Sequence, residues 1–295
     1  MSGVGFVLAM AVGACVALGA VVLFPRPLAP VSPNYRGSLV PMALGPAFVI
    51  GVTVVVGIDL LIAVVGGTLR VSAWRPAAVI LALLLVFCFG LLDDFRAGPG
   101  RGLMGHFQEL LHGRVTTGIG KLGAALAASG LAVTALGSGP LRLALGIPFV
   151  AGATNLWNLL DVRPGRAAKY FLLAMGTIAL IDWTFAFRLY VVPASLGASA
   201  ALLPFDLRER AMLGDSGSNA LGFVVGVASF RLLPTWGLGL GLGVILALHL
   251  AAETVTLSRL IEATSPLRWF DGIGRLPGEQ AGPQGGLERK DSPAT

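Results

Sequence analysis

Charge is scarce in this chain. Only 12% of its residues are Asp, Glu, Lys or Arg, about half the share in a soluble domain. Hydrophobic residues make up 55%, and mean hydropathy is +0.83. That balance excludes a disordered chain and an ordinary soluble domain. Cysteine is nearly absent. Cys15 and Cys88 each lie inside an apolar run, so they build neither a disulfide framework nor a CxxC metal site. Three histidines are too few and too scattered for a His-rich zinc site. The apolar runs are unbroken rather than alternating, which excludes a β-barrel. No nucleic-acid-binding motif is visible. The net charge of +6 points instead to basic cytoplasmic loops and anionic lipid.

What is present is a series of apolar stretches of helical length. They fall at 2–24, 47–66, 76–92, 119–137, 141–157, 168–182, 184–203, 214–233 and 237–260, each long enough for a membrane helix or close to it. The expected fold is therefore all-α: a polytopic transmembrane bundle of about nine spans, the first a retained helix rather than a cleaved signal. An N-out, C-in arrangement leaves Arg70, Arg75, Arg142, Arg188 and Arg231 on the outer side and the other 16 of the 21 basic residues on inner segments, as the positive-inside rule requires. Residues 1–276 read as one membrane domain. Residues 277–295, rich in Gly, Pro and charge, read as a disordered cytoplasmic tail. No repeat at a fixed period suggests a transporter with inverted halves.

The polar residues gather in the inner loops. Asp93 and Asp94 end the third span. Carboxylates at that depth are costly, and a helix C-terminus is the wrong end of the dipole for them. Asn155, Asn158 and Asp161 recur every third residue and form a polar stripe at a helix end. The turn Arg163-Pro164-Gly165-Arg166 follows, and its guanidinium groups suit phosphate oxygens. Gly214-Asp215-Ser216-Gly217 opens an apolar helix. Asp215 or Ser216 can cap it, free N–H groups there favour phosphate, and a carboxylate beside phosphate suits Mg²⁺. Each motif has a plainer reading as a solvated helix end, a basic loop or a capping turn. Asp59, His249 and Glu253 lie within spans, where an interhelical pair is as good an account as catalysis. His106 and His112 read as loop residues.

Taken together and in this order, the acid pair, the N-x-x-N-x-x-D stripe and the M-x-G-D-S-G-S turn resemble the polyprenyl-phosphate N-acetylhexosamine-1-phosphate transferase superfamily. Asn34-Tyr35-Arg36-Gly37 with Val40-Pro41 is similar to its N-x-R-G…P segment. The resemblance spans about residues 25–275. It implies a helical bundle with a cytoplasmic active site in a bacterial plasma membrane. The implied reaction moves a sugar 1-phosphate from a UDP-sugar to polyprenyl (undecaprenyl) phosphate, releasing UMP and needing Mg²⁺, in cell-wall or surface-glycan synthesis. By this resemblance Asp93, Asp94 and Asp161 are catalytic, and Asp215 with Asp94 holds the metal. Asn155, Asn158, Arg163, Arg166, Ser216 and Arg268 are the substrate-binding candidates. The implied partners are polyprenyl phosphate, a UDP-sugar and membrane lipids, with a homodimer as an option and no nucleic acid.

Two departures stand out. The family run D-G-x-D-G is here Asp161-Val162-Arg163-Pro164-Gly165, so its second acid, associated with the nucleotide end, is Pro164. The last inner loop has Ser265-Pro266-Leu267-Arg268-Trp269 where the family has histidines, and no final span follows. These departures keep open an alternative: a catalytically degenerate paralogue that binds lipid phosphate or a cell-wall enzyme.

Overall fold

The computed structural model describes residues 3–23, 29–66, 74–96, 117–137, 139–181 and 190–276, apart from the side chains of 117, 253 and 254. The expected tail 277–295 and the loop holding His106 and His112 lie outside these residues. The described chain is built from helices: α1 Gly3–Leu23, α2 Leu44–Val65, α3 Trp74–Phe95, α4 Thr117–Leu136, α5 Pro140–Leu160, α6 Arg166–Ile181, α7 Val191–Leu207, α8 Gly214–Leu232, α9 Thr235–Thr254, α10 Leu257–Ala263 and α11 Ser265–Gly272. Among the described residues, each of the nine expected apolar segments overlaps one of α1–α9, the ninth running on into α10. Six of these helices, α1–α5 and α9, are long and apolar enough to cross a membrane. The described residues are those of a multi-pass helical membrane protein.

Three boundaries differ from expectation. Helix α3 runs on through Asp93 and Asp94 instead of stopping at 92. Helix α7 reaches Leu207 and carries Asp206, beyond the expected end at 203. The ninth segment is not one helix to 260: Val255 and Thr256 are extended between α9 and α10. Two successive β-branched residues weaken the helix there. A short element was also unforeseen. Val31–Pro33 (β1) and Leu39–Pro41 (β2) pair antiparallel. Asn34 closes this hairpin, its Oδ1 accepting the N–H groups of Arg36 and Ser38, both at 3.0 Å.

Helix α8 is the hub, packing against α2, α3, α5 and α6. It is buried nearly throughout, including its polar Ser216, Ser218 and Asn219. In lipid, close packing of small residues replaces the hydrophobic effect as the force between helices. Gly90 of α3 shows this: a Cβ there would lie 2.6 Å from the Ser216 Cα.

The segment after α9 is tied back by buried charge. Arg166, wholly inaccessible, forks onto Asp271, with Nε to Oδ1 at 2.9 Å and Nη2 to Oδ2 at 2.7 Å, and its Nη1 donates to Ser258 at 2.8 Å. Lys169 donates to the carbonyls of Phe270, Asp271 and Ile273, and Arg275 pairs with Asp271 at 2.7 Å. Arg166, a substrate-binding candidate from sequence, is instead buried in this fork and anchors α11 to the start of α6.

Two outcomes follow. Gly90→Ala should cost about 1–3 kcal/mol through overpacking, whereas Gly57→Ala, with nothing within 4 Å of its Cβ, should not destabilise. Thermal unfolding in micelles compares them. The second outcome concerns pH. Burial alone would raise the Asp271 carboxyl, but the Arg166 hydrogen bonds and the charges of Arg166, Arg275 and Lys169 override it and hold it below the ordinary carboxylate range. Its stabilisation is then full above about pH 4 and lost as pH falls through the lowered value. The stability gap between the parent and Asp271→Asn should be constant at neutral pH and shrink on acidification below about pH 4.

Candidate active site

Five stretches meet at one end of the bundle: the β1–β2 hairpin, the turn after α5, the turn after α7, the end of α3 and the start of α8. They enclose a cleft of about 380 Å³ lined by Asn34, Tyr35, Asp94, Asp161, Arg163, Pro164, Asp206, Glu209 and Asp215. That is the size of a small-ligand pocket.

The last turn of α3 splits its two acids. Asp94 is buried and turns onto the open end of α8, where Oδ1 accepts the Asp215 N–H at 2.7 Å and Oδ2 the Ser216 N–H at 3.0 Å. A neighbouring helix thus supplies the cap that α8 does not supply itself, and the acid sits at the favourable end of that dipole. Gly214 makes room: its φ is +67°, and a Cβ there would lie 2.9 Å from both Asp94 oxygens. Asp93 points instead to Lys121 of α4. Lys121 Nζ bridges Asp93 Oδ2 at 2.7 Å and Asp215 Oδ2 at 2.5 Å, and all three side chains remain partly exposed.

On the opposite wall, Asp161 follows the last turn of α5. Withdrawal from water raises its carboxyl well above the usual range, and the charges of Asp206, Asp215 and Asp94 push the same way, against Arg166. Asp206 of α7 is buried, and its Oδ2 accepts the Gly165 N–H at 3.0 Å. The hairpin is fastened by Glu209, which accepts from Asn34 Nδ2 at 2.7 Å and pairs with Arg36 Nε at 3.0 Å. Glu209 does so from a left-handed backbone conformation, φ +54°; such strain in a non-glycine residue clusters at functional sites. Tyr35 lies between two cations, its ring 5.2 Å from Arg36 Cζ and 5.0 Å from Arg163 Cζ.

Of the expected site residues, Asp93, Asp94, Asp161, Arg163 and Asp215 come together here. Asn158 joins them through Ser218, whose hydroxyl donates to Asn158 Oδ1 at 3.3 Å. Asn155 does not: its Nδ2 lies 2.9 Å from His249 Nε2 on α9. His249 Nδ1 lies 2.8 Å from the Ile245 carbonyl, so Nδ1 donates and Nε2 accepts from Asn155. Ser216, a substrate-binding candidate from sequence, is fully buried in the helix cap with its N–H donated to Asp94. Arg268 is exposed on α11, 3.4 Å from the Glu262 carbonyl, and does not line the cleft. The free N–H groups expected at α8 are likewise filled by Asp94 rather than open to phosphate.

Lys121, Asp206 and Glu209 were missed. A lone cation near the start of an otherwise apolar helix was the available signal for Lys121. Nothing local marks the other two. Among the described residues no cluster of three or more Asp, Glu, His or Cys side chains is arranged to hold a metal ion. The chemistry of the donor set still suits Mg²⁺, which needs only one or two carboxylates when phosphate and water complete its shell. Asp93 and Asp215, facing one cation position, offer them, while Asp94 is committed to backbone.

Residues 76–233 match the model of glycosyl transferase family 4. The match covers α3 through α8 and includes Asp93, Asp94, Lys121, Asp161, Asp206 and Asp215; the hairpin and α11 fall outside it. Comparison with curated proteins gives no match. An acid cluster bridged by lysine, opening at one end of a membrane bundle, agrees with what this family does, which is to transfer phosphosugars onto lipid carriers. The chain belongs to glycosyl transferase family 4.

Proposed function

We propose that the protein transfers a sugar 1-phosphate from a UDP-sugar to polyprenyl phosphate at the cytoplasmic face of the plasma membrane, releasing UMP. The observation that carries this reading is Lys121 held between Asp93 and Asp215, the latter lining the cleft. An oxygen of the lipid phosphate attacks the β-phosphorus of the donor; that O–P bond forms as the bond from the β-phosphorus to the bridging oxygen breaks, and UMP leaves with the electron pair. The lipid phosphate is already ionised near neutrality, since its second proton is lost at about pH 6, so the protein's task is to bring two anions together.

Arg163 at the cleft wall and Lys121 supply fixed positive charge for those anions. Asp93 and Asp215 would hold Mg²⁺, which when bound neutralises the diphosphate and polarises its oxygens. Asp161, kept from ionising easily, is suited to hold a proton near the nucleotide phosphates. Asn158 orients the α8 turn through Ser218. The hairpin contributes Asn34 and Tyr35 to the cleft lining. The basic asymmetry of the loops supports N-out, C-in.

Purified protein with undecaprenyl phosphate, Mg²⁺ and a panel of UDP-sugars should release UMP. Asp215→Asn should reduce the rate by about 10²-fold or more, the scale of losing a charge aimed at the transition state. A second reading has an observation in its favour: Lys121 already occupies the position between Asp93 and Asp215, as it would in a lipid-phosphate binder without turnover. Tight lipid-phosphate binding with no UMP from any donor would replace the transferase by that reading.

A further inference from the structure

The β1–β2 hairpin has two faces. Val31 pairs with Pro41 and Ser32 with Val40, and neighbours along a strand point to opposite sides. Val40 is buried, and Asn34 and Tyr35 at the turn line the cleft. Val31, Leu39 and Pro41 form the other face. Val31 is 53% exposed and Leu39 74%, and with Pro41 and Arg210 they border a shallow open hollow. The proposed reaction makes no use of this side.

The hairpin is rooted where a span begins. The Met42 N–H donates to the Pro30 carbonyl at 2.8 Å, and α2 opens two residues later at Leu44. Pro30 also lines an apolar groove between the spans α2 and α3, beside Pro46 and Phe95. Val31, the next residue, therefore stands at the edge of the lipid. Pro33 and Pro41 each close a strand and carry no N–H. This suits strands beside lipid, where an unpaired backbone donor is costly. Arg210 stands on a segment stitched to the same face, since the Met212 N–H donates to the Pro41 carbonyl at 3.0 Å. Its side chain is exposed, and among the described residues its guanidinium has no hydrogen bond or ion pair.

We infer that the outer face of the hairpin is a membrane-surface anchor. Val31, Leu39 and Pro41 enter the boundary between headgroups and acyl chains, and Arg210 takes the phosphate of an anionic phospholipid. An apolar body with a cation at its rim is the composition of segments that lie in the bilayer interface, and the guanidinium fork matches phosphate oxygens. The inference does not depend on the transferase reading. It bears on the cleft all the same: the hairpin that rests on the bilayer also presents Asn34 and Tyr35, so the membrane braces one wall of the cleft.

The test places a fluorophore on the full chain at Leu39→Cys, with Cys15 and Cys88 replaced by Ala, in phosphatidylcholine vesicles. The quenchers are phosphatidylcholine or phosphatidylglycerol brominated near the top of the acyl chains, and aqueous iodide. Both brominated lipids should quench and iodide should not. At equal mole fraction the anionic lipid should be favoured about fivefold, the scale of one basic residue at an anionic surface. Arg210→Gln should bring phosphatidylglycerol down to the level of phosphatidylcholine and leave quenching by the latter unchanged. Quenching by iodide alone puts the face in water and overturns the anchor. Shielding from all three quenchers puts it against protein and overturns it equally. No preference for phosphatidylglycerol, or a preference that survives Arg210→Gln, overturns the headgroup contact.

Discussion

Helix α8 and the turn leading into α6 both present backbone N–H groups to the cleft, and in both places a carboxylate from another helix accepts them. Asp94 of α3 takes the N–H groups of Asp215 and Ser216, and Asp206 of α7 takes that of Gly165. A helix start leaves its first N–H groups without intrahelical partners, and away from water each unsatisfied group is expensive. Capping in trans removes that cost and fixes three things at once. It sets the height of α3 against α8, it holds the turn after α5 against α7, and it points Asp93 and Asp215 toward one another across Lys121. The acids of the cleft are arranged by the caps rather than by their own loops.

The remaining architecture serves to keep these caps in place. Small residues such as Gly90 let α3 and α8 approach to backbone contact, close enough for a side chain as short as Asp94 to reach. On the far side of the α6 start, the Arg166–Asp271 fork and the Lys169 hydrogen bonds bind α11. A buried fork of this kind gives little net stability, but breaking one partner costs about 3–5 kcal/mol. It therefore specifies where the last helices return. The hairpin closes the remaining side through Glu209, at the cost of a left-handed backbone.

Much of this was legible in the amino-acid order. Lipid demands long apolar helices, so α1–α9 appear as apolar runs, and Asp93, Asp161 and Asp215 stand out because ionisable groups at the ends of such runs are rare. What was not legible acts across long separations. Arg166 reads as a phosphate contact until Asp271, 105 residues away, is found in its fork. Asp94 reads as a metal ligand until the N–H groups of α8 are seen to fill it. Lys121 reads as one more inner cation, Asp206 as a loop acid, and Asn155 as part of a stripe whose other members turn away from it toward the cleft. The hairpin at Asn34 and Gly37 was not legible, because the strands they join are too short to show a period.

The central claim is that adjacent acids have opposite tasks, Asp94 holding the fold and Asp93 serving the site. Thermal unfolding of Asp94→Ala and Asp93→Ala, measured side by side in micelles without substrate, tests it most directly. Asp94→Ala leaves two N–H groups at the α8 start without their acceptor and should lose about 2 kcal/mol or more. Asp93→Ala leaves Lys121 its bridge to Asp215 and should unfold within about 0.5 kcal/mol of the parent. Equal losses, or a larger loss for Asp93→Ala, would contradict the account.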